Sequence, residues 1–430
     1  MSLTLLQSPY LYTPIKQKLI FVASSTEVGQ TGFRFVIEVN DGQNVQTFYI
    51  QPNPQGVLVF DIYPVIKDWM TLDLNDTGGM PNIFTATTCE LYEFDHNINN
   101  VRVKIWEGWN VLGVFTVDPN GVGPLDQRSS FFNGAFQSYL QFSPDPAQFY
   151  SLTSNVKDVM TDLTQDTFNL SNLISQYSLG ATTVGVLAYE TDYGVVTVPT
   201  DDGARLTGNL IDEIQIVQFN SAGAPIQTDT FSITATEATL THAPLYPANI
   251  NNTFGLAANW HHYLCSFRSG GVSKARALAF FQQEPECRFE VVRLGWTNSR
   301  GGWDFWNFTK RSEENYSIQR KRFRKLQGNY AEADGSTTPF TFYNYDRGLT
   351  ERTPFVEKMT TVSTDYLNEA QFEFLKTLAY SESVYIINTS GEAEPVVIEQ
   401  NTFNTPKPKG YMKQGMTIQF TLKHSNDWQA

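Results

Sequence analysis

Short runs of apolar and β-branched residues, separated by glycine, proline and asparagine, are the sequence feature that most restricts the fold. Residues 33–39 alternate large apolar side chains with polar ones, which is the period of a half-buried strand. Asp41 and Gly42 follow as a hairpin turn, and residues 45–50 return as a second strand. Regular short strands separated by such turns predict a β-sandwich or a β-barrel.

The strand-rich pattern returns in residues 181–285. Its candidate strands occupy residues 183–189, 213–219 and 229–235. Here a hairpin and a strand precede Leu245-Tyr-Pro, and in the first region the same order precedes Ile62-Tyr-Pro. This order is consistent with a tandem duplication of one β-sandwich, but the match is too short to distinguish duplication from two unrelated modules.

Residues 149–180 have a different period and are predicted to be helical. Their apolar residues recur at three- and four-residue spacing, which is typical of one or two helices. These helices could link the two β modules, or a helix could pack on the N-terminal sheet, and the pattern favours neither. The residues concerned are Val156, Val159, Met160, Leu163, Leu170, Leu173, Ile174 and Tyr177.

The last third of the chain mixes strands with a helix. Residues 364–378 have helical periodicity and open with Thr364, which we interpret as the capping residue. The whole sequence thus predicts a mainly β protein with tandem β-sandwich-like modules, a helical connector and a C-terminal α+β module. The predicted divisions are an N-terminal β module (1–148), a helical connector (149–180), a second β module (181–285) and a C-terminal module with a Trp-rich hairpin (286–430).

Charge and composition limit the classes of partner. The formal net charge of −14 argues against a general nucleic-acid binder, because phosphate groups require positive charge. No window approaches the roughly 20 continuous apolar residues that cross a bilayer, so we expect no membrane segment. Three cysteines cannot form a disulfide framework, and the first residues lack the basic region of a secretory signal. We expect synthesis in a reducing cytosol.

Sequence motifs do not point to catalysis or to a cofactor. The patterns typical of serine hydrolases, zinc proteases, phosphate-binding loops and dinucleotide-binding loops are absent from the sequence. His261, His262 and Cys265 are close in sequence, but neighbouring residues of a strand face opposite ways, so we interpret them as partly buried strand residues. Acidic residues beside aromatic ones, as in glycosidases, are a weak signal. They are Asp61, Glu93 and Asp95. We expect no enzyme activity, no metal and no cofactor.

Residues 295–309 form the densest aromatic segment of the chain. Residues 299–302 predict a hairpin turn, with positive φ at Gly301 and Gly302. In the strand that follows, Trp303 and Phe305 share one face and Trp306 shares the other with Phe308. Rings on both faces favour an interior strand between two layers for most of them. The alternative is an intersubunit or sugar-binding aromatic platform, for which the candidate residues are Trp296, Trp303, Phe305 and Trp306.

A basic stretch follows at residues 310–325. It holds seven of the 30 basic residues and two of the 44 acidic ones, a net of +5 that leaves −19 on the rest of the chain. It is either a solvated face or an electrostatic contact with the acidic surface of a neighbouring subunit. The candidate interface residues are Lys310, Arg311, Arg320, Lys321, Arg322 and Arg324.

Several segments resemble virion structural proteins of tailed phages that infect Bacteroidota, crAss-like phages included. The similar segments are residues 5–14, 33–39 and 52–63 near the start, 295–308 in the aromatic region and 366–398 near the end. The resemblance leaves residues 100–280 uncovered. It implies a component of the virion near the neck or the tail.

Our first hypothesis is therefore a non-enzymatic tail or neck protein that is assembled in the host cytoplasm into a ring or hub. Its expected partners are further copies of itself and other tail or neck proteins. The second hypothesis is a carbohydrate-binding receptor module displayed on the virion, with Trp303 or Trp306 as its platform. The third is a glycan-cleaving enzyme, which needs two facing carboxylates at catalytic separation.

Overall fold

The computed structural model shows a mainly β protein made largely of antiparallel sheets, which confirms the predicted fold class. The residues that it describes are 2–9, 12–16, 18–42, 44–69, 83–92, 97–132, 159–200, 211–233, 239–284, 288–326, 329–330, 340–341, 348–351, 355–381, 383–399, 417–424 and 428–429.

The first module is a sandwich of two sheets. Its strands are β1 (Leu3–Gln7), β2 (Tyr12–Pro14), β3 (Ile20–Ser25), β4 (Arg34–Asn40), β5 (Val45–Ile50), β6 (Val57–Asp61), β7 (Glu90–Tyr92), β8 (Asn97–Val111), β9 (Val114–Val117) and β10 (Leu125–Phe132). Helix α1 (Tyr63–Ile66) continues as a 3₁₀ turn (Lys67–Trp69), and a second such turn is Ile83–Thr85. A three-stranded sheet has the order β1-β3-β6; a larger one has the order β2-β10-β8-β4-β5, with β9 beside β8.

Alternating apolar residues build the core of this module. Phe35, Ile37 and Val39 of β4 are fully buried and pack with Phe21 and Leu58 of the three-stranded sheet. The predicted hairpin is present, because β4 and β5 pair across the turn with Asn40 opposite Val45. The sequence pattern thus places one side of β4 between the two sheets.

The second module has two comparable sheets. Its strands are β11 (Val184–Ala188), β12 (Val196–Thr200), β13 (Glu213–Phe219), β14 (Pro225–Ser232), β15 (Thr239–Ala243), β16 (His262–Ser269), β17 (Val272–Ser273) and β18 (Leu278–Gln282). The larger sheet has the order β11-β18-β16-β13-β14 with β17 beside β16, and the smaller has the order β12-β15-β7. Strand β7 of the first module therefore completes a sheet of the second.

The two modules share one topology. In each larger sheet, the strand that comes first in the chain pairs in parallel with the one that comes last: β2 with β10, and β11 with β18. The central strand of each sheet, β8 or β16, also pairs with the short strand that follows it, β9 or β17. In each smaller sheet an antiparallel pair, β3–β6 or β12–β15, precedes a helix that begins at a Tyr-Pro pair. That helix is α1 in the first module and, in the second, a helix at Pro247–Thr253. Ile62 and Leu245, which precede the two Tyr-Pro pairs, are both fully buried. This correspondence supports a tandem duplication.

The prediction of a helical connector is wrong for most of the described part, which begins at residue 159. Only α2 (Ser171–Gln176) is helical there. The helix of the second module at Pro247–Thr253 is numbered α3. Val159, Met160 and Leu163 are buried in a non-helical segment, where Met160 N donates to the carbonyl oxygen of Thr197. Tertiary hydrogen bonds replace the helical ones that the spacing predicts. Residues 149–158 and Val156 lie outside the described residues.

In its described residues, the C-terminal module is mainly an antiparallel sheet with one helix. Its strands are β19 (Val292–Thr297), β20 (Trp303–Phe308), β21 (Glu313–Gln319), β22 (Arg322–Arg324), β23 (Asn329–Tyr330), β24 (Phe340–Thr341), β25 (Leu349–Glu351), β26 (Phe355–Ser363), β27 (Val384–Ile387), β28 (Ala393–Ile398), β29 (Gln419–His424) and β30 (Trp428–Gln429). Eight of them form one sheet in the order β20-β19-β27-β28-β29-β26-β21, with β30 beside β26.

Helix α4 (Glu369–Tyr380) begins later than predicted. Its capping residue is Asn368, whose side chain accepts a hydrogen bond from Gln371 N, while the Gln371 side chain accepts one from Asn368 N. This reciprocal capping box satisfies two backbone donors of the first turn. Thr364, the predicted cap, instead accepts a hydrogen bond from Ile418 N at 2.8 Å.

One hydrophobic cluster extends through the second module and the C-terminal module. It contains Tyr263 and Phe280 from the former and Trp303 and Phe305 from the latter. Side chains on both sides of residue 285 belong to this cluster, so burial does not mark a domain boundary there. The boundary between residues 285 and 286 stays a prediction. Within the described ranges, none of the helices is long and apolar enough to cross a membrane.

Candidate functional site

The aromatic hairpin formed by β19 and β20 lies inside the protein. Its turn is closed by Asn298, whose side-chain oxygen accepts hydrogen bonds from Arg300 N at 3.0 Å and Gly302 N at 2.9 Å. The Asn298 amide group donates to the carbonyl oxygen of Met160 at 2.9 Å. Gly301 has the predicted positive φ of 85°, whereas Gly302 does not. The turn is therefore fixed from outside the hairpin as well as within it.

Two layers cover opposite faces of this hairpin. Trp303 and Phe305 pack edge-on against Phe84, with ring centroids 5.0 and 5.6 Å apart. On the other face, Trp306 stacks on Phe168 at 5.2 Å, and Trp296 contacts Phe374 of α4 at 5.2 Å. This arrangement matches the interpretation as an interior strand.

Three of the four aromatic interface candidates are core residues. Trp296, Trp303 and Phe305 are at most 3% exposed, so the prediction of an interface through these rings is wrong for this fold. Their burial against neighbouring layers of the same chain leaves no ring face for a partner. Trp306 is half-buried and lines a cleft between the second and C-terminal modules.

A buried carboxyl group joins the hairpin to the connector. Asp304 is 2% exposed and accepts hydrogen bonds from the Thr161 hydroxyl and from Asp162 N. Burial, together with the nearby charge of Asp162, raises the pKa of Asp304 to about 7. The sequence gives no sign of this role for Asp304, since its partners lie about 140 positions away.

A buried ion pair joins the second module to the C-terminal sheet. Arg293 Nη1 lies 3.1 Å from a carboxylate oxygen of Asp192 and donates to Asn307 at 2.9 Å. The guanidinium carbon also lies over the rings of Tyr246 and Phe305, at 4.6 and 4.9 Å from their centroids. We did not predict this pair from the sequence, although an arginine inside an apolar strand is a usable signal.

His261, His262 and Cys265 do not assemble a metal site. Among the described residues, no cluster of three or more histidine, cysteine or acidic side chains could hold a metal ion. His262 stacks between Phe219 and Phe281, and burial, with the nearby His261, lowers its pKa to about 4. Of the acidic residues beside aromatic ones, Asp61 accepts hydrogen bonds from backbone N–H groups, whereas Glu93 and Asp95 lie outside the described residues.

A hydroxyl, an imidazole and a carboxylate form a chain across three neighbouring strands. Thr360 Oγ1 lies 2.8 Å from His424 Nε2, and His424 Nδ1 lies 2.6 Å from Glu394 Oε1. Nucleophilic hydrolases use the same order of groups. Thr360 is only 5% exposed, so a substrate has no direct access to its hydroxyl. We therefore interpret the chain as a cross-strand contact within the sheet.

The basic stretch belongs to a long β-hairpin, which we call the arm. Its base, β21 and β26, lies in the eight-stranded sheet, and its outer strands form two-stranded pairs. Strands β21, β22 and β23 run outward, and β24, β25 and β26 return beside them. Glu313 lies opposite Thr361, Arg322 opposite Glu351 and Tyr330 opposite Phe340, which is the order of a single hairpin. This ribbon is not predicted from the sequence, because its strands lack the alternation of a half-buried sheet.

Positive charge is concentrated on the middle of the arm. Arg320 and Arg322 both bond Glu351, and these hydrogen bonds lower the pKa of that carboxyl group. Lys321 and Arg324 are exposed and make no ion pair with the part of the chain that the structure describes. The arm therefore presents exposed basic side chains.

Lys310 and Arg311 lie at the base of the arm, just before β21. Lys310 contacts Asp365 at 3.1 Å, and Arg311 contacts Glu313 at 2.9 Å. Both contacts are within the chain, as are those of Arg320 and Arg322, so Lys321 and Arg324 are the candidates more available to a partner.

Exposed apolar side chains accompany the basic ones. Tyr316 is 57% exposed and Leu326 is 79% exposed, and Ile318, Phe323 and Leu349 are also exposed. The arm is thus a ribbon with apolar and basic groups in solvent, which is the composition of a contact surface more than of a solvated face.

Comparison with models of known protein families gives no match. A search of curated proteins likewise finds no relative. The fold and the arm define a mainly β protein with two sandwich modules in tandem and an exposed basic ribbon.

Proposed function

We propose that this chain is a non-enzymatic structural subunit of a tailed-phage virion that forms part of the tail or neck as a ring or hub. The observation that carries the assembly proposal is the arm, whose strands β21 and β22 expose almost every side chain. The resemblance of the segments near both ends and in the aromatic region to phage virion proteins supports its place in the tail or neck.

The arm needs a partner for physical reasons. The outer part of the arm, from β22 and β25 onward, is only two-stranded. Such a ribbon alone in water is marginally stable, because too little apolar surface is covered to offset the ordering of its backbone. At about 3.3 Å per residue, the stretch from Glu313 to Arg324 extends over about 36 Å. A neighbouring subunit that covers the arm would supply the missing burial.

Charge complementarity makes another copy of the chain a suitable neighbour. Residues 1–285 contain 26 acidic and 12 basic residues, whereas residues 286–430 contain 18 of each. The whole net charge of −14 therefore belongs to the first two modules. A basic arm on an acidic module of the next copy is a heterologous contact, and such contacts generate rings when the rotation closes.

The place of the protein in the virion is tested by quantitative mass spectrometry of gradient-purified phage particles. We expect this chain at a fixed copy number relative to the portal and tail proteins, and in the tail fraction after heads and tails are separated. Absence from purified particles would contradict the proposal. The control is a replication enzyme encoded by the same phage, which should be lost during purification.

A second candidate is the carbohydrate-binding module. The cleft lined by Trp306, Asn307, Gln371 and Tyr366 has a volume of about 150 Å³, enough for one six-membered ring. Tyr366 is 75% exposed and Trp306 is stacked on Phe168, so Tyr366 offers the freer ring. Binding on a glycan array that disappears in Tyr366→Ala would favour this function. An array without binding would exclude it for the glycans tested.

A further inference from the structure

The outer edge of β5 lacks the usual protection of an open strand. β5 is the last strand of the larger sheet in the first module, and within the described residues no strand pairs with its outer side. Its sequence, Val-Gln-Thr-Phe-Tyr-Ile, contains neither a charged residue nor a proline. Natural edge strands usually carry one or the other, since an open edge pairs readily with another chain.

The second module provides an internal comparison. Strand β14 occupies the same place in its sheet as β5 does in the first. It begins with Pro225 and contains Asp229, and the side chain of Gln227 donates to that carboxylate at 2.9 Å. The second module therefore has a protected edge at β14, whereas the first module has an open edge at β5.

The backbone of β5 directs hydrogen-bonding groups toward this open side. Asp41 N donates to the carbonyl oxygen of Asn44, which makes these two residues a hydrogen-bonded pair. Because such pairs alternate along an antiparallel ladder, Val45, Thr47 and Tyr49 turn their N–H and C=O groups away from β4. Val45 and Tyr49 are also more than half exposed.

We propose that β5 pairs with strand β21 of a second copy, so that the arm of each subunit adds a strand to the first module of its neighbour. This inference rests on the proposed assembly through the arm. Strand β21 has seven residues against six in β5, and it is itself the last strand of its sheet. Added-strand pairing gives affinity through main-chain hydrogen bonds.

Charge favours β21 over β5 itself as the partner strand on a second copy. Strand β21 and the residues directly after it, 313–325, hold five basic and two acidic residues, and the first module, residues 1–148, has 14 acidic against seven basic residues. Pairing β21 with β5 therefore brings positive charge to an acidic module. Pairing of two β5 strands places two acidic modules side by side, which costs electrostatic free energy.

Mixed cysteine variants test the pairing directly. One chain carries Thr47→Cys, and a second carries Asn315→Cys or Ser317→Cys, since opposed residues of paired strands are close enough for a disulfide. After mild oxidation we expect a disulfide-linked dimer in at least one mixture and none above the wild-type background in Thr47→Cys alone. Cross-linking of Thr47→Cys with itself would overturn the proposal in favour of β5–β5 pairing.

A proline substitution provides the matched loss of function. Thr47→Pro removes an outward-facing N–H, whereas Thr47→Ala keeps it and removes only the side chain. By native mass spectrometry we expect Thr47→Pro to lower the oligomer fraction at least tenfold and Thr47→Ala to leave it unchanged. Normal assembly of a folded Thr47→Pro chain would contradict the proposed pairing of β5 with β21 but not the proposed assembly through the arm. A wild-type chain that stays monomeric would contradict the proposed assembly itself.

Discussion

The carbonyl oxygen of Met160 occupies the position that a Cβ atom at Gly302 would need. The connector therefore lies directly against the turn of the aromatic hairpin, and glycine at this position allows that approach. We predicted a positive φ at Gly302 from the sequence, but its φ is not positive. Glycine is needed at this position because of the close backbone contact and not because of a left-handed conformation.

Gly302→Ala should therefore destabilise the protein. The added methyl group meets backbone that cannot turn aside, and overpacking of this kind costs about 1–3 kcal/mol. Thermal unfolding followed by circular dichroism measures the change. Gly29→Ala is the control, because a Cβ atom there meets nothing within 4 Å. Equal melting temperatures for the two variants would show that the Met160 contact does not constrain the hairpin.

Trp303→Ala should cost about 3–5 kcal/mol of unfolding free energy, as expected for truncation of a large buried ring. Trp303 is 2% exposed and packs against Phe84 and Tyr385. Urea titration of the variant gives the value. Leu112→Ala, at a fully exposed residue, should change stability by less than about 0.5 kcal/mol. If the Trp303→Ala chain were as stable as wild type, the assignment of this ring to the core would be wrong.

Asp304 should make the protein less stable as pH rises. Its pKa is about 7 in the folded chain, against about 3.9 for an unfolded aspartate. The folded state thus binds the proton more tightly, so this carboxyl group stabilises the fold most below about pH 4 and progressively less as pH rises through 7. Stability measured by urea unfolding should fall between pH 5 and 8.

Asp304→Asn isolates this effect. An amide can donate to the Thr161 hydroxyl and accept from Asp162 N without carrying charge. The variant should therefore gain stability relative to wild type as pH rises from 5 to 8. The exposed Glu290 serves as the control position, and Glu290→Gln should leave the slope unchanged. Parallel pH profiles for wild type and Asp304→Asn would show that Asp304 is ionised at neutral pH.

Local patterns predicted the elements whose burial alternates along the chain. Residues 213–219 were predicted as a strand and form β13, because every second side chain enters the sandwich core. The helix near residue 370 was predicted from its period, while its start moved because Asn368 and Gln371 form the better cap.

Elements fixed by distant partners were not predictable in the same way. The spacing of Val159, Met160 and Leu163 is helical, yet hydrogen bonds to Thr197, Asn298 and Asp304 hold this segment in a non-helical conformation. The buried pair of Arg293 and Asp192 depends on residues about 100 positions apart. The basic residues were recognised from charge alone, but their place on a ribbon depends on pairing across residues 313–363.

The arm should make assembly sensitive to salt. Because exposed ion pairs contribute only about 0–1 kcal/mol each, one substitution should have little effect and several together should have a clear one. The variant is Arg320→Ser, Lys321→Ser, Arg322→Ser and Arg324→Ser combined. The control changes Arg320, Arg322 and Arg324 to lysine, which keeps the charge of the arm.

Sedimentation velocity of these chains at about 0.1 M and about 1 M salt tests the central claim most directly, since the screening length falls from about 10 Å to about 3 Å over that range. Wild type and the lysine control should form oligomers at low salt and lose mass at high salt. The serine variant should stay smaller at both concentrations, with a flattened salt dependence. A serine variant that assembles like wild type at both salt concentrations would contradict assembly through the arm.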